Sequence, residues 1–376
     1  MISDLSHFVT GGAEAQATRL IGNWLEQGHE VVCLGRRMRA DEVEIAGHKV
    51  QCHRIRTIQR AGRMVRATTY FASLAYLLLV HGRWADIIYT RFLGEAAATA
   101  AVLKQLGLLD GPLVATPAGA GPSGDVAFLR TVPFSAALTR LLDRHCDAIN
   151  LIAPRMKEDL LEAGFEHARV TTIPNGVTVL PLQANPGNGS IRGICVGRLV
   201  HQKAIDTLIL AASAAGGLGG RMTIEVIGDG PDREKLIQMA QDHGVASTFS
   251  FTGELQPHEV RRRLVSADVF LLPSRYEGMS NAALEAMEAG LPMVLTRCGG
   301  IDTYLDDDMA WIVPVEDVGS LSAALDQASQ RSREHLRQMG AACRRLIEQD
   351  FDIRSTSGKY ISLFSELIDE SRRARS

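Results

Sequence analysis

Short apolar segments alternate with helix-length amphipathic ones along nearly the whole of this 376-residue chain. That alternation constrains the fold more than any other feature. In the first half a helix is predicted over Ala13 to Gln27, ended by Gly28, with Leu20, Ile21, Trp24 and Leu25 at helical spacing. Strands are predicted at Glu30–Leu34, Asp86–Tyr89, Leu113–Thr116, Ala148–Ile152 and Val170–Ile173. The second half repeats the theme more cleanly, with strands at Gly193–Val196, Met222–Ile227, Phe249–Phe251, Val269–Leu272 and Met293–Thr296. Its helices are predicted at Ile205–Ala215, Asp232–Asp242, Pro257–Ala267, Ala282–Ala289 and Ser320–Ser329, then near Glu334–Gln349 and Ser355–Arg373. Such alternation makes parallel sheets covered by helices on both faces, whose ligands bind at the carboxyl ends of the strands.

The length suits two domains rather than one core. A linker-like run, Pro181, Asn185, Pro186, Gly187, Asn188 and Gly189, sets the boundary. The expected division is an N-terminal domain over 1–180, a C-terminal domain over 190–355, and a last helix over 356–376 that packs back on the first domain. The two doubly wound, Rossmann-like α/β domains are expected to face a cleft. A Gly-rich turn such as Gly11-Gly12 normally follows a first strand, yet only Met1-Ile2-Ser3-Asp4 and a loop precede it here. A missing or truncated first strand is therefore expected.

A net charge of −3 gives no basic field for nucleic acid. Six scattered cysteines without a C-x-x-C pair point to a reducing cytoplasm and away from disulfides or zinc. The longest greasy run, Tyr70 to Val80, is too short to span a bilayer and reads as a buried helix. Arg54, Arg56, Arg60, Arg63 and Arg66 precede it. They form either a solvated face or a patch for anionic lipid heads or a lipid-linked diphosphate. His81, His145 and His201 lack partners at metal or triad spacing and read as surface or packing residues.

The most informative stretch for chemistry runs from Pro273 to Pro292. Glu277 and Glu285 stand in it with seven residues between them. The strand Val269–Leu272 ends at Pro273, and a helix begins near Ser280 or Asn281, both good N-caps. A helix start offers free amides and a positive dipole end to a phosphate. A carboxylate on each side suits a ligand with hydroxyls at both ends and phosphate between, which is the layout of a nucleotide-sugar. Arg198 and Lys203 lie in another strand-to-helix turn, where both cations can meet phosphate. Gly228-Asp229-Gly230 alone signals a tight turn. G-x-G-x-x-G is absent, which counts against a dinucleotide oxidoreductase.

Taken in order, several motifs resemble the retaining glycosyltransferases of family 4, the group 1 transferases of the GT-B fold. They are Gly11-Gly12-Ala13-Glu14, Ile173-Pro174-Asn175-Gly176-Val177, Val196-Gly197-Arg198 with Lys203, Gly228-Asp229-Gly230-Pro231, Phe251-Thr252-Gly253, the 273–292 segment and Gly299-Gly300. The resemblance implies that Arg198 and Lys203 hold the donor diphosphate and absorb leaving-group charge. It implies that Glu277 contacts the transferred sugar and Glu285 the ribose. Amides of Gly278, Met279, Ser280 and Asn281 would touch sugar or phosphate. Gly12 would add an amide from the first domain, and the base would lie near Gly228 and Leu255. Neither metal nor cofactor is implied, since the cations and helix dipole replace a metal.

The implied activity is transfer of a sugar from a nucleotide-diphosphate donor, UDP included, to a glycan or lipid-linked acceptor in surface polysaccharide or glycolipid synthesis. The implied location is the cytoplasm, with peripheral contact on the inner face of the membrane. A His that many members carry is absent from Ala115 to Asp125, where Ser123 and Asp125 are candidate acceptor or sugar contacts. A Gly-rich loop with an Asp helix cap explains that stretch equally well. Ala204 replaces a common Gly, Thr178 a common Asp and Asp302 a common Glu; all are expected to be tolerated. The alternatives are a non-catalytic nucleotide-sugar-binding protein, and an epimerase or phosphorylase of the same fold.

Overall fold

The computed structural model describes residues 1–9, 11–60, 62–132, 134–182, 187 and 189–374, with Ser123 described by its backbone only. Asn185, Pro186 and Asn188 of the linker-like run lie outside these residues. The chain forms two compact units, Met1–Thr178 with Ile353–Ser376, and Val179–Asp352.

The first unit contains β1 (Val32–Gly35), β2 (Glu42–Ile45), β3 (His48–Arg54), β4 (Ile88–Thr90), β5 (Leu113–Ala115), β6 (Ala148–Leu151) and β7 (Val170–Thr172). Its helices are α1 (Gly12–Glu26), α2 (Gly62–His81), α3 (Glu95–Gln105), α4 (Asp125–Thr131), α5 (Ser135–His145), α6 (Met156–Glu162) and the terminal Ile353–Arg373. Its strands form two pieces, β1-β3-β2 and the parallel β4-β5-β6-β7. Ile2 joins them, bridged in parallel to Leu34 and to Thr90. The amide of Ile2 donates to Tyr89 at 2.8 Å and that of Ser3 to Leu34 at 3.0 Å, while Leu34 donates to Met1 at 2.8 Å. The expected first strand is thus reduced to a single joint. Beside it a groove of about 870 Å³ opens between Val31 and Val32 on one side and Ile87 and Ile88 on the other.

Burial of aromatic rings holds this unit together. Trp24 of α1 meets Phe364 of the terminal helix with ring centres 5.6 Å apart, and Tyr89 meets Tyr360 at 5.5 Å. The Tyr360 hydroxyl accepts from Asn150 Nδ2 at 2.7 Å. Gly176 allows a close crossing, because a Cβ there would stand 2.8 Å from the Ile353 Cα.

Two features depart from the sequence pattern. Residues 42–54 form an antiparallel hairpin. Its two-residue turn, Ala46-Gly47, has positive φ at both positions, where Ala gives no turn signal. The Tyr70–Val80 run is also not a buried helix. Helix α2 starts at Gly62 and buries only Tyr70, Leu74 and Leu78, leaving Met64, Phe71 and Tyr76 exposed.

The second unit contains β8 (Ile191–Val196), β9 (Met222–Ile227), β10 (Phe249–Gly253), β11 (Val269–Leu272), β12 (Met293–Thr296) and β13 (Ala310–Val313). Strand β13 was not foreseen. Its helices are α7 (Ile205–Ala214), α8 (Arg233–Asp242), α9 (Pro257–Ser266), α10 (Asn281–Glu288), α11 (Val318–Gln330) and α12 (Arg333–Leu346); the terminal helix of the first unit is therefore α13. The sheet is continuous and wholly parallel, in the order β10-β9-β8-β11-β12-β13. Every residue of β11 and β12 is buried. That is why both read as unbroken apolar runs, since helices cover both faces of such a sheet.

Candidate active site

In the second unit the strand order reverses between β8 and β11, since successive strands run outward on either side of that pair. Ligands of doubly wound sheets bind at such switch points, beyond the carboxyl ends of the strands. The loops after β8 and β11 meet there. The first carries Arg198 and Lys203, the second Glu277 and the start of α10.

Hydrogen bonds lace these loops together. The Arg275 amide donates to the Gln202 carbonyl at 2.9 Å, and Gln202 Nε2 donates to the Tyr276 carbonyl at 3.0 Å. The Arg275 guanidinium grips Asp206 through two bonds of 3.1 and 2.9 Å. Lys203 Nζ then reaches Glu277 Oε1 at 2.6 Å, and Ser274 Oγ donates to the same oxygen at 2.7 Å. Glu277 is only 7% exposed. Burial works against the Lys203 ammonium, but the Glu277 carboxylate outweighs it and holds the lysine pKa above its ordinary value. The result is a half-buried cation with a buried carboxylate partner, at the end of the central strand pair.

The glycines around this pair permit close packing. A Cβ on Gly300 would stand 2.6 Å from the Gly278 carbonyl, so the loop after β12 supports the Glu277–Gly278 turn only without a side chain. Asp302 fixes that loop by accepting from the Gly299 and Gly300 amides at 2.8 Å each. Gly228, with φ +135°, would place a Cβ 2.0 Å from the Gly197 carbonyl. Its amide already donates to Gly253 at 2.8 Å. Gly228 therefore joins the loops after β8 and β9, and only its carbonyl and Cα are left for a ligand. Leu255 is half-buried in the loop before α9.

Helix α10 starts as its sequence dictates. Ser280 caps it, accepting from the Ala283 amide at 3.3 Å. Gly278, Met279 and Ser280 are buried, and Asn281 is half-buried. Glu285 is half-buried on the first full turn, within electrostatic reach of Arg261. Arg198 is exposed and makes no ion pair with any described residue.

Sequence reasoning missed Glu288, a fully buried acid one turn beyond Glu285. It pairs with Arg261, accepts from Arg344 Nη1 at 2.8 Å and accepts from the Leu180 amide at 2.9 Å. The available signal was its position four residues after Leu284, on the apolar face of the helix. Glu288 anchors the helix, and Glu285 is left on a more open face.

The first-unit candidates lie apart from this cluster in the sequence. Gly12 is the first residue of α1. One carboxylate oxygen of Asp125 accepts from the Ala118 and Gly119 amides at 2.7 and 3.0 Å, so Asp125 clamps the Gly-rich loop before it. Burial pushes its pKa up. The Ser123 side chain lies outside the described residues. Among the described residues no group of three or more His, Cys, Asp or Glu is placed to hold a metal ion.

Comparison with known proteins gives this geometry a family. Residues 10–179 match the Glycosyltransferase Family 4 model, and residues 184–346 match that of Glycosyl transferases group 1. The putative colanic acid biosynthesis glycosyltransferase WcaL of Escherichia coli K12 is 28% identical over 298 residues, 75% of this chain and 71% of that protein. The glycogen synthase of Mycobacterium tuberculosis is 30% identical over 221 residues, 57% of this chain and 53% of that protein. Among solved structures, the sucrose-phosphate synthase of Thermosynechococcus elongatus superposes with a TM-score of 0.80 at 17% identity, covering 98% of each chain. Anabaena HepE in complex with UDP gives 0.76 at 15% identity, over 97% of this chain and 99% of that one. The chain has the GT-B fold and belongs to the group 1 glycosyltransferases of family 4.

Proposed function

We propose that this protein is a retaining glycosyltransferase that moves a hexose from a nucleotide-diphosphate sugar, UDP-sugars foremost, to a glycan or lipid-linked acceptor in surface polysaccharide or glycolipid synthesis. The observation that carries the proposal is the Lys203–Glu277 pair beside the start of α10, at the switch point of the second-unit sheet. WcaL is named for colanic acid biosynthesis, and HepE has been crystallised with UDP and with UDP-glucose. These relatives support the donor and pathway class.

Breaking a sugar–phosphate bond builds negative charge on the departing diphosphate and positive charge on the sugar carbon. Lys203 and Arg198 meet the first charge, together with the α10 amides between Gly278 and Asn281. When diphosphate takes over the lysine, Glu277 is released to accept from hydroxyls of the transferred sugar. Glu285 accepts from the ribose hydroxyls, and the loop around Gly228 and Leu255 borders the base. Donors fixed in advance toward developing charge supply the largest catalytic term, and losing one costs about 10²–10³ in rate. The leaving phosphate receives the acceptor proton, so the anomeric configuration is retained and no protein base is assigned. The proposal includes no metal or cofactor.

The test is a donor-hydrolysis and transfer assay with UDP-, GDP- and ADP-sugars, with the product anomer read by NMR. Release of nucleotide with an α-linked product from an α-linked donor supports the proposal. Binding without turnover, or turnover without nucleotide release, would replace it with a binding protein or an epimerase.

A second reading concerns location. Helix α2 exposes Met64 (77%), Phe71 and Tyr76 (67%), and Arg60, Arg63 and Arg66 are exposed at or just before its start, apolar and basic groups suited to anionic lipid. Among the described residues no helix is long and apolar enough to cross a membrane. The proposed location is the cytoplasm, with peripheral contact on the inner membrane face through these exposed groups of α2. Flotation with phosphatidylglycerol liposomes that Arg63→Glu abolishes supports it; indifference to anionic lipid removes it.

A further inference from the structure

Helix α9 carries three successive arginines, Arg261, Arg262 and Arg263, and they differ in what they meet. Arg262 and Arg263 are exposed and pair with Glu259 at 3.8 Å and Glu225 at 3.2 Å. Pairs that open to water contribute little. Arg261 is half-buried and turns instead to α10, where it pairs with the fully buried Glu288.

Glu288 has a cation without it. Arg344 Nη1 of α12 donates to Glu288 Oε1 at 2.8 Å, and the Leu180 amide donates to the same oxygen at 2.9 Å. Arg344 is itself framed, donating from Nη2 to the Leu180 carbonyl at 2.7 Å and from Nε to Glu348 at 2.6 Å. These bonds fix Glu288 and the end of α10. Arg261 meets the remaining oxygen, Oε2. One buried carboxylate thus sits between two guanidinium groups, and anchoring the helix requires only one of them.

The second cation has another carboxylate beside it. Glu285 stands three residues before Glu288 on α10, and such residues are neighbours on a helix, about 5–6 Å apart at Cβ. A guanidinium pinned to Glu288 from α9 therefore lies alongside Glu285. The charges agree with this placement. Burial and the Arg344 charge push the Arg261 pKa down, and the Glu285 carboxylate opposes them. The pair with Glu288 engages Nη1, and a guanidinium holds several N–H donors in a rigid fork, so the same group can serve a second acceptor. Glu285 is half-buried on the more open side, where a carboxylate has several rotamers to choose from. A fixed cation at its flank narrows that choice.

We infer that Arg261 is a positioning residue for the donor: pinned by Glu288, it holds the Glu285 carboxylate toward the ribose hydroxyls of the nucleotide. The inference rests on the ribose role proposed for Glu285 and adds the group that orients it.

The test is calorimetric titration of the full chain with UDP and with 2′,3′-dideoxy-UDP, which lacks the ribose hydroxyls. Wild type, Arg261→Met and Arg261→Lys are compared. Arg261→Met keeps the aliphatic stem, and Glu288 keeps Arg344 and Leu180, so the fold should survive; thermal unfolding checks this. Wild type should prefer UDP to the dideoxy ligand. Arg261→Met should weaken UDP binding about fivefold and leave the dideoxy affinity unchanged, so the preference shrinks. Arg261→Lys keeps the charge without the fork, and should lose part of the preference even if the Met variant does not fold. Loss of a positive charge alone would weaken both diphosphates equally. An equal loss for both ligands, or a preference kept in full by the variants, would overturn the inference and leave the ribose role of Glu285 standing. UDP binding by wild type with no preference over the dideoxy ligand would overturn that role and the inference with it.

Discussion

The two sheets of this molecule differ in how their centres are built. The second unit runs unbroken through six parallel strands, and its central pair, β8 and β11, ends in the loops that carry the candidate donor site. Among the described residues the first unit has two strand groups joined through the short Met1–Ser3 segment, centred on Ile2, with an open groove beside the joint. A continuous centre fixes loops rigidly, and positioned charges need that rigidity to act on a transition state. A centre held by one joint leaves the first unit more dependent on its helices, above all on the Trp24–Tyr89–Tyr360–Phe364 ring cluster.

The largest expected effect breaks the centre of the second unit. Lys203→Met leaves Glu277 buried without its cation, which should cost about 3–5 kcal/mol of stability as well as activity. Urea unfolding of the single variant and of Lys203→Met with Glu277→Leu separates the two roles. The double variant should recover most of the stability and none of the activity. Next comes the joint of the first unit. Ile2→Ala should cost roughly 2–5 kcal/mol, and its signature is regional. Hydrogen exchange should speed up at the Leu34 and Arg91 amides, which donate to Met1 and Ile2, and stay unchanged in β8 and β11.

Legibility in the sequence follows the same divide. Strands of the second unit were readable because burial on both faces writes them as apolar runs, as at Val269–Leu272. Glu277, Lys203 and Ser280 were readable because a strand, a turn and a helix cap stand in fixed order along the chain. The hairpin at 42–54 was not, because one face is exposed and its Ala46-Gly47 turn lacks the Asn or Asp that usually marks one. Helix α2 was misjudged because apolar content alone does not say which face is buried. The role of Glu288 was invisible, since it depends on residues brought together from distant segments.

A smaller effect comes from a carboxylate in the first unit. Asp143 accepts from the Glu166, His167 and Ala168 amides at 3.1, 2.9 and 2.8 Å. Burial pushes its pKa up, but these three donors outweigh it and hold the pKa below the ordinary 3.8. A lowered carboxylate pKa gives stability that is present above the unfolded value and lost as pH falls through the folded one. Asp143→Ala should cost roughly 1–3 kcal/mol near neutral pH. The difference from wild type should shrink below pH 3.8, as followed by circular dichroism. The smallest effect is a gain. Ala204 holds φ +50° at the start of α7, so Ala204→Gly should add about 0.5–1 kcal/mol. A rise in thermal midpoint with unchanged turnover would show that the turn tolerates Ala only at a cost.

The central claim is that a nucleotide diphosphate is gripped where the loops after β8 and β11 converge. Calorimetric titration of UDP into wild type, Arg198→Ala and Glu285→Ala tests it most directly, because both side chains are at least partly exposed and their loss should leave the fold intact. The account predicts binding by wild type and an affinity lowered about tenfold or more in each variant. Equal affinity in all three proteins would contradict it.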